Sequence, residues 1–89
     1  MAHFEELHDK VKEGNLDAAA KKAGAPNWRR SIEDLLKAVG KDSSVEARTE
    51  LAHELGIEHY TGTAAQNDEL HNAVIRKIEE SGTSLTDAA

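Results

Sequence analysis

Five histidines are the residues of this 89-residue chain that first suggest chemistry, because imidazole binds metals and carries protons near neutral pH. They are His3, His8, His53, His59 and His71. Zinc ligands usually follow a tight spacing, whereas Gly56 interrupts the helix between His53 and His59. The chain has no cysteine, which excludes thiolate sites and disulfides. We therefore predict histidines without a metal, and no other cofactor.

Carboxylates are abundant but do not form a recognisable catalytic pattern. Acid–base catalysis needs two groups whose pKa values are driven apart within a cleft. Most of the 17 Asp and Glu residues are expected on helix faces opposite the apolar stripes. The sequence contains no Ser/His/Asp arrangement, no nucleophile elbow and no Gly-rich phosphate loop. We predict that the protein is not an enzyme.

Acidic residues recur every four positions at 42, 46, 50, 54 and 58. Within a helix this spacing places Glu46, Glu50 and Glu54 on one ridge. A solvated outer face is the favoured interpretation. The functional interpretation is an acidic patch that docks a protein with a basic surface or mimics nucleic acid.

Trp28 and Arg29 follow a connector that contains the only proline, Pro26. A buried Trp28 would plug the core, whereas an exposed Trp beside Arg is typical of a binding hot spot. We favour the structural role, because the chain has one Trp, one Tyr and one Phe. The same holds for Tyr60, whose hydroxyl is expected to bond to a nearby backbone group. The possible partner-binding residues are thus Glu46, Glu50, Glu54, Trp28 and Arg29.

The segment from Glu50 to Ile57 resembles the first helix and turn of a helix-turn-helix protein. A recognition helix should follow, but residues 58–63 contain Gly62 and no Lys or Arg. The net charge of −6 also disfavours binding to phosphates. A nucleic-acid-associated regulator is therefore the alternative function, and nucleic acid is an unlikely partner.

Five helical segments must position these residues, because apolar residues recur at helical spacing between glycines and capping residues. The segments run from about Ala2 to Glu13, from Asn15 to Ala23, from Asn27 or Ser31 to Val39, from Asp42 to Leu55 and from Thr63 to Ser81. Ser43 with Glu46, and Thr63 with Gln66, have capping-box spacing. Val45 is expected on the inner face of the fourth helix.

The predicted fold is all-α, a compact bundle of four to five short helices that forms a single domain over residues 1–89. Residues 1–27 supply the N-terminal helices, and residues 83–89 are expected to be a frayed tail. The predicted core consists of Ile32, Leu35, Leu36, Val39, Leu51, Leu55, Leu70, Val74 and Ile78.

Residues 28–82 also carry a family resemblance. The matching runs are Trp28 to Lys37, Gly40, Asp42-Ser43-Ser44, Ala47-Arg48, Glu50-Leu51-Ala52, Glu54-Leu55-Gly56, Tyr60-Thr61-Gly62 and Leu70-His71. Together they resemble a bacterial domain-of-unknown-function family, number 3597. Lys41 departs from the pattern of this family, and the loop before Tyr60 is lengthened by residues 57–59. The first 24 residues look helical, where members often carry an Ala/Pro-rich segment. The resemblance implies a helical bacterial domain and no activity.

Composition sets the expected location and partners. No apolar stretch approaches the roughly 20 residues that a membrane span needs, and residues 1–6 lack the features of a secretory signal. We expect a cytoplasmic protein without membrane contact. The sequence favours a non-enzymatic protein-interaction module or accessory factor, whose partner has a basic surface. It does not indicate the oligomeric state or the identity of the partner.

Overall fold

The computed structural model describes residues 3–14 and 16–82, and in these ranges the chain forms five α-helices and no strand. They are α1 (His3–Lys12), α2 (Leu16–Ala23), α3 (Ile32–Ala38), α4 (Val45–Glu54) and α5 (Ala64–Glu80). The predicted all-α fold is confirmed. Three predictions lie outside the described residues, namely the start of the first helix at Ala2, the Asn15 cap and the frayed tail at 83–89.

The start of α3, for which the sequence left two positions open, is set by Ser31. The Ser31 hydroxyl accepts the backbone N–H of Asp34 at 3.2 Å, as an N-cap residue does. Asn27 instead closes the turn before the helix. Its carbonyl accepts the N–H groups of Arg30 and Ser31 at 2.9 and 2.8 Å. The connector around Trp28 is therefore an ordered turn.

The predicted Ser43 cap of α4 is wrong by one residue. Ser44 is the N-cap, and its hydroxyl accepts the backbone N–H of Ala47 at 3.2 Å. Asp42 holds Ser44 in place by accepting its N–H at 2.9 Å. By contrast, the capping box of Thr63 and Gln66 at the start of α5 is confirmed.

One apolar cluster contains side chains from every helix. Eight of the nine predicted core residues are buried, and Leu55 is the exception, because it packs against the cluster while partly exposed. The N-terminal helices contribute Phe4, Leu7, Val11, Leu16 and Ala20. Both helices therefore pack on the core, with α1 against α4 and α2 against α3, while α3 also packs against α5.

Val45 is not on the inner face, contrary to the prediction, and is 49% exposed. It lies in the first turn of α4 and borders Gly62 in the loop before α5. The inward stripe of α4 instead begins with Arg48 and continues with Leu51 and Ala52. Over the residues described, no helix is long and apolar enough to cross a membrane.

Candidate functional site

A cleft of about 970 Å³ opens where the first turns of α1 meet the last turns of α4. Its lining residues are His3, Phe4, Glu5, Glu6, Glu50, His53, Glu54, Leu55 and Lys77. Two of these, Phe4 and Leu55, are apolar, and the others carry a charge or an imidazole. The cleft joins three parts of the chain that are far apart in sequence, and it includes two members of the predicted acidic ridge.

Glu54 connects the end of α4 to the beginning of α1. Its carboxylate accepts the backbone N–H of His3 at 3.2 Å and that of Phe4 at 2.9 Å. The first N–H groups of a helix have no partner within the helix, and a negative charge there is also favourable to the helix dipole. Glu54 is therefore a structural cap of α1, and its carboxylate is turned away from the solvated side of the ridge.

Glu50 remains largely exposed at the rim of the cleft. Its Oε1 lies 2.5 Å from Nε2 of His3, and 65% of the Glu50 side chain is accessible to solvent. Glu46, one turn earlier, is also exposed and lines a neighbouring groove together with His3 and Lys41. The ridge predicted from sequence is thus divided, because Glu46 and Glu50 face solvent while Glu54 binds α1.

Lys41 forms an ion pair with Glu6. The hydrogen bond and charge of Lys41 lower the pKa of the Glu6 carboxyl, so that Glu6 is held as an anion. This pair connects the loop between α3 and α4 with α1, on the side of the cleft that faces the neighbouring groove.

The electrostatic character of the cleft is negative. Its lining contains four carboxylates and one ammonium, that of Lys77, which leaves a net charge of −3 when the imidazoles are neutral. The Lys77 ammonium lies 5.6 Å from the centroid of the Phe4 ring. The arrangement can attract a cationic group to a partly apolar surface.

Trp28 is 3% exposed, which confirms its structural role and shows that the alternative of an exposed hot spot is wrong. Its indole N–H donates to Asp17 at 2.9 Å, and its carbonyl oxygen lies 2.7 Å from Nε2 of His71. The Arg29 guanidinium lies 4.4 Å from the ring centroid and binds both carboxylate oxygens of Asp17. The bond from Trp28, followed by Arg29, lowers the pKa of the Asp17 carboxyl. Arg29 is exposed but already paired.

Arg48 is the centre of a buried polar network that was not predicted from the sequence. The residue is 5% exposed, and its Nη1 donates to the Tyr60 hydroxyl at 3.0 Å and to Asn67 Oδ1 at 2.7 Å. Its Nε donates to the Ser43 carbonyl at 3.1 Å. Tyr60 donates to the Asn67 side chain, not to the backbone group that was predicted. A signal existed, because Arg48 precedes Leu51 and Ala52 by three and four residues and so shares their inward stripe.

The other histidines are dispersed over the described part of the chain. His59 lies exposed in the loop before α5, and His53 is exposed at the cleft, whereas His71 is buried. Burial lowers the pKa of His71. Within residues 3–14 and 16–82, no three His, Asp or Glu side chains converge in a manner that could hold a metal.

The segment after α4 does not form a recognition helix. Residues 57–63 are not helical, and α5 begins only at Ala64. The first polar side chains of α5 that could contact bases already form hydrogen bonds within the protein. Gln66 belongs to the capping box, and Asn67 belongs to the Arg48 network. Asp68 and Glu69 follow them, and their charge repels phosphate.

The family model described as "Domain of unknown function (DUF3597)" matches residues 6–85, so the chain belongs to this family. The match extends beyond the resemblance at 28–82 and includes all of α2 and most of α1. No curated protein and no solved structure matches the chain.

Proposed function

We propose that this member of the DUF3597 family is a non-enzymatic protein-interaction module or accessory factor, and that its cleft binds a basic segment of another protein. The observation that carries the proposal is the lining of the cleft, in which four carboxylates and one ammonium accompany the partly exposed Leu55 and the core residue Phe4. Charge of one sign at the rim of an apolar surface favours a partner of opposite charge.

The two parts of the lining have different functions in this proposal. The exposed carboxylates of Glu5 and Glu50 attract Lys or Arg side chains and accelerate the encounter. Leu55 is partly exposed and offers apolar contact to a side chain that follows the cation. The best fit is a segment that alternates basic and apolar residues.

A catalytic function is less well supported, because the polar groups of the cleft are engaged in structural contacts. Glu54 caps α1, Glu6 pairs with Lys41, and Glu50 contacts His3. Glu6 has a lowered pKa, which keeps it ionised, whereas a general acid needs a raised one. These contacts suit a binding surface of fixed shape better than a proton-transfer site.

Site-specific photocrosslinking in cells that express the protein tests the proposal. Benzoylphenylalanine is placed at the cleft by His53→benzoylphenylalanine, because His53 is exposed and lines the cleft. The matched control is Asn72→benzoylphenylalanine, at an exposed position of α5 in a different groove. We expect a crosslinked protein from position 53 only, with the crosslink mapped by mass spectrometry to a Lys/Arg-rich segment.

A second variant tests whether charge is the cause. Glu50→Lys should suppress the crosslink from position 53, whereas Glu69→Lys, on the far groove of α5, should not. Equal crosslinking from positions 53 and 72, or a crosslink to an acidic segment, would contradict the proposal.

A further inference from the structure

Lys77 differs from the other charged residues of the cleft in the sign of its charge and in the helix that carries it. It is the only lysine or arginine among the lining residues in the described part of the chain, and it comes from α5, while the acidic residues come from α1 and α4. Its ammonium lies 5.6 Å from the centroid of Phe4. An ammonium at such a distance from an aromatic face is attracted by the ring. The cleft therefore already holds a cation, and that cation belongs to the protein itself.

We infer that Lys77 occupies the position that a lysine of the partner takes, so that the partner must displace Lys77 from the face of Phe4. The inference rests on the proposed function of the cleft and adds the chemistry of the contact and a means of regulating it. The occupant is a lysine-bearing segment of another protein, in which an apolar side chain next to that lysine contacts Leu55.

Charge balance supports this choice of occupant. The lining residues have a net charge of −3 with Lys77 in place and −4 when its ammonium leaves, and Lys41 outside the lining pairs with one of the four carboxylates, that of Glu6. A lysine of the partner that enters over Phe4 restores the original balance. An acidic or neutral side chain would not replace the lost positive charge beside Glu5 and Glu50, which disfavours such partners. The exchange of one ammonium for another thus selects for a basic segment.

The displacement itself meets little resistance. Lys77 is an exposed residue, and its four-carbon side chain can point its ammonium to solvent without a change in the backbone. A cation–π contact at an exposed site is weak. Lys77 is therefore a competitor that a basic segment can displace.

Binding of a defined peptide tests the inference. The probe is a short, amidated peptide of alternating lysine and leucine residues, with binding measured by fluorescence anisotropy. Lys77→Met retains the length of the side chain and removes its charge, and we expect it to bind the peptide about threefold more tightly than the wild type. Lys77→Arg keeps the cation and should retain wild-type affinity.

Arg76→Met provides the matched control, because it removes one positive charge from the neighbouring residue of α5, which lines a different groove. We expect it to leave the affinity unchanged. If Arg76→Met and Lys77→Met strengthen binding equally, net charge is the cause and the inference fails. If the wild type binds and Lys77→Met does not bind more tightly, the inference fails while the proposed function stands.

Absence of binding by both proteins would overturn the proposed function together with the inference. Sedimentation velocity of the unliganded protein identifies the competing occupant. If the protein associates with itself and Glu50→Lys abolishes that association, the cleft belongs to a second copy of this chain and the inference is wrong.

Discussion

Nε2 of His71 lies 2.7 Å from the carbonyl oxygen of Trp28, which joins the middle of α5 to the turn before α3 across 43 positions of sequence. Because a carbonyl can only accept, Nε2 carries the proton and donates it. Burial of His71 lowers its pKa below the ordinary value of about 6.5. The neutral imidazole is thus the form that the folded protein favours.

This relationship predicts a dependence of stability on pH. Below about pH 6.5 the unfolded chain binds a proton at His71 more readily than the folded protein does. The contribution of His71 is therefore fully present above that pH and is lost as the pH falls towards the lowered pKa of the folded state. Urea denaturation at a series of pH values should show a free energy of unfolding that decreases between about pH 7 and pH 5.

His71→Gln is the control for this prediction, because its amide can donate to the Trp28 carbonyl but does not titrate. Its free energy of unfolding should vary less with pH over the same range. Identical pH profiles for the two proteins would show that another group causes the dependence.

The cap that Glu54 provides predicts a local effect on α1. Glu54→Ala leaves the backbone N–H groups of His3 and Phe4 without their acceptor, which should cost about 1–3 kcal/mol in the free energy of unfolding. Hydrogen exchange should accelerate in the first turns of α1. Glu58→Ala removes a carboxylate from the same four-residue repeat at an exposed loop position, and it should change neither quantity.

The buried Arg48 network predicts a larger loss. Arg48→Met removes the donor to Tyr60, Asn67 and the Ser43 carbonyl, although Tyr60 and Asn67 keep the bond between them. Because three hydrogen bonds to a charged group are lost, we expect a loss of about 3 kcal/mol by urea denaturation. Arg48→Lys should also destabilise the protein, since an ammonium cannot reproduce the planar donor geometry of the guanidinium.

Arg76→Met supplies the comparison for Arg48, because Arg76 is exposed on α5. Its loss should change the free energy of unfolding by less than about 0.5 kcal/mol. A comparable loss for the two arginines would mean that the network contributes no more to stability than a surface charge does.

The acidic surface predicts the outcome of a DNA titration. Duplex DNA added to micromolar protein at low salt should give no change in fluorescence anisotropy, because the start of α5 presents Asp68 and Glu69 where a recognition helix needs donors. Binding that weakens steeply with salt would instead support the alternative of a nucleic-acid-associated regulator.

Local patterns in the sequence were sufficient to predict much of the fold. The stripe of Ile32, Leu35 and Leu36, and the capping box of Thr63 with Gln66, depend on residues a few positions apart, and both are present in the structure. Ser43 and Ser44 could not be separated in this way, because either hydroxyl can cap the same helix.

The candidate site depended on contacts that local spacing does not contain. Periodicity placed Glu54 on a ridge, but it could not show that the first turn of α1, 50 positions away, lies against that residue. The contact between Lys77 and Phe4 also joins residues that are far apart in sequence, so local spacing could not predict it. For Arg48, the spacing to Leu51 and Ala52 places the residue on the inward stripe, but local spacing does not contain the distant partners that bind its guanidinium there.

The cleft is formed by segments that are far apart in sequence, and this determines when it appears during folding. Its lining comes from residues 3–6, 50–55 and 77, so the surface does not exist until α5 has left the ribosome and packed. Contacts of such large sequence separation form late, whereas α2 and α3 are neighbours in sequence and can pair early. A protein that binds this cleft consequently distinguishes the finished molecule from the nascent or partly unfolded chain.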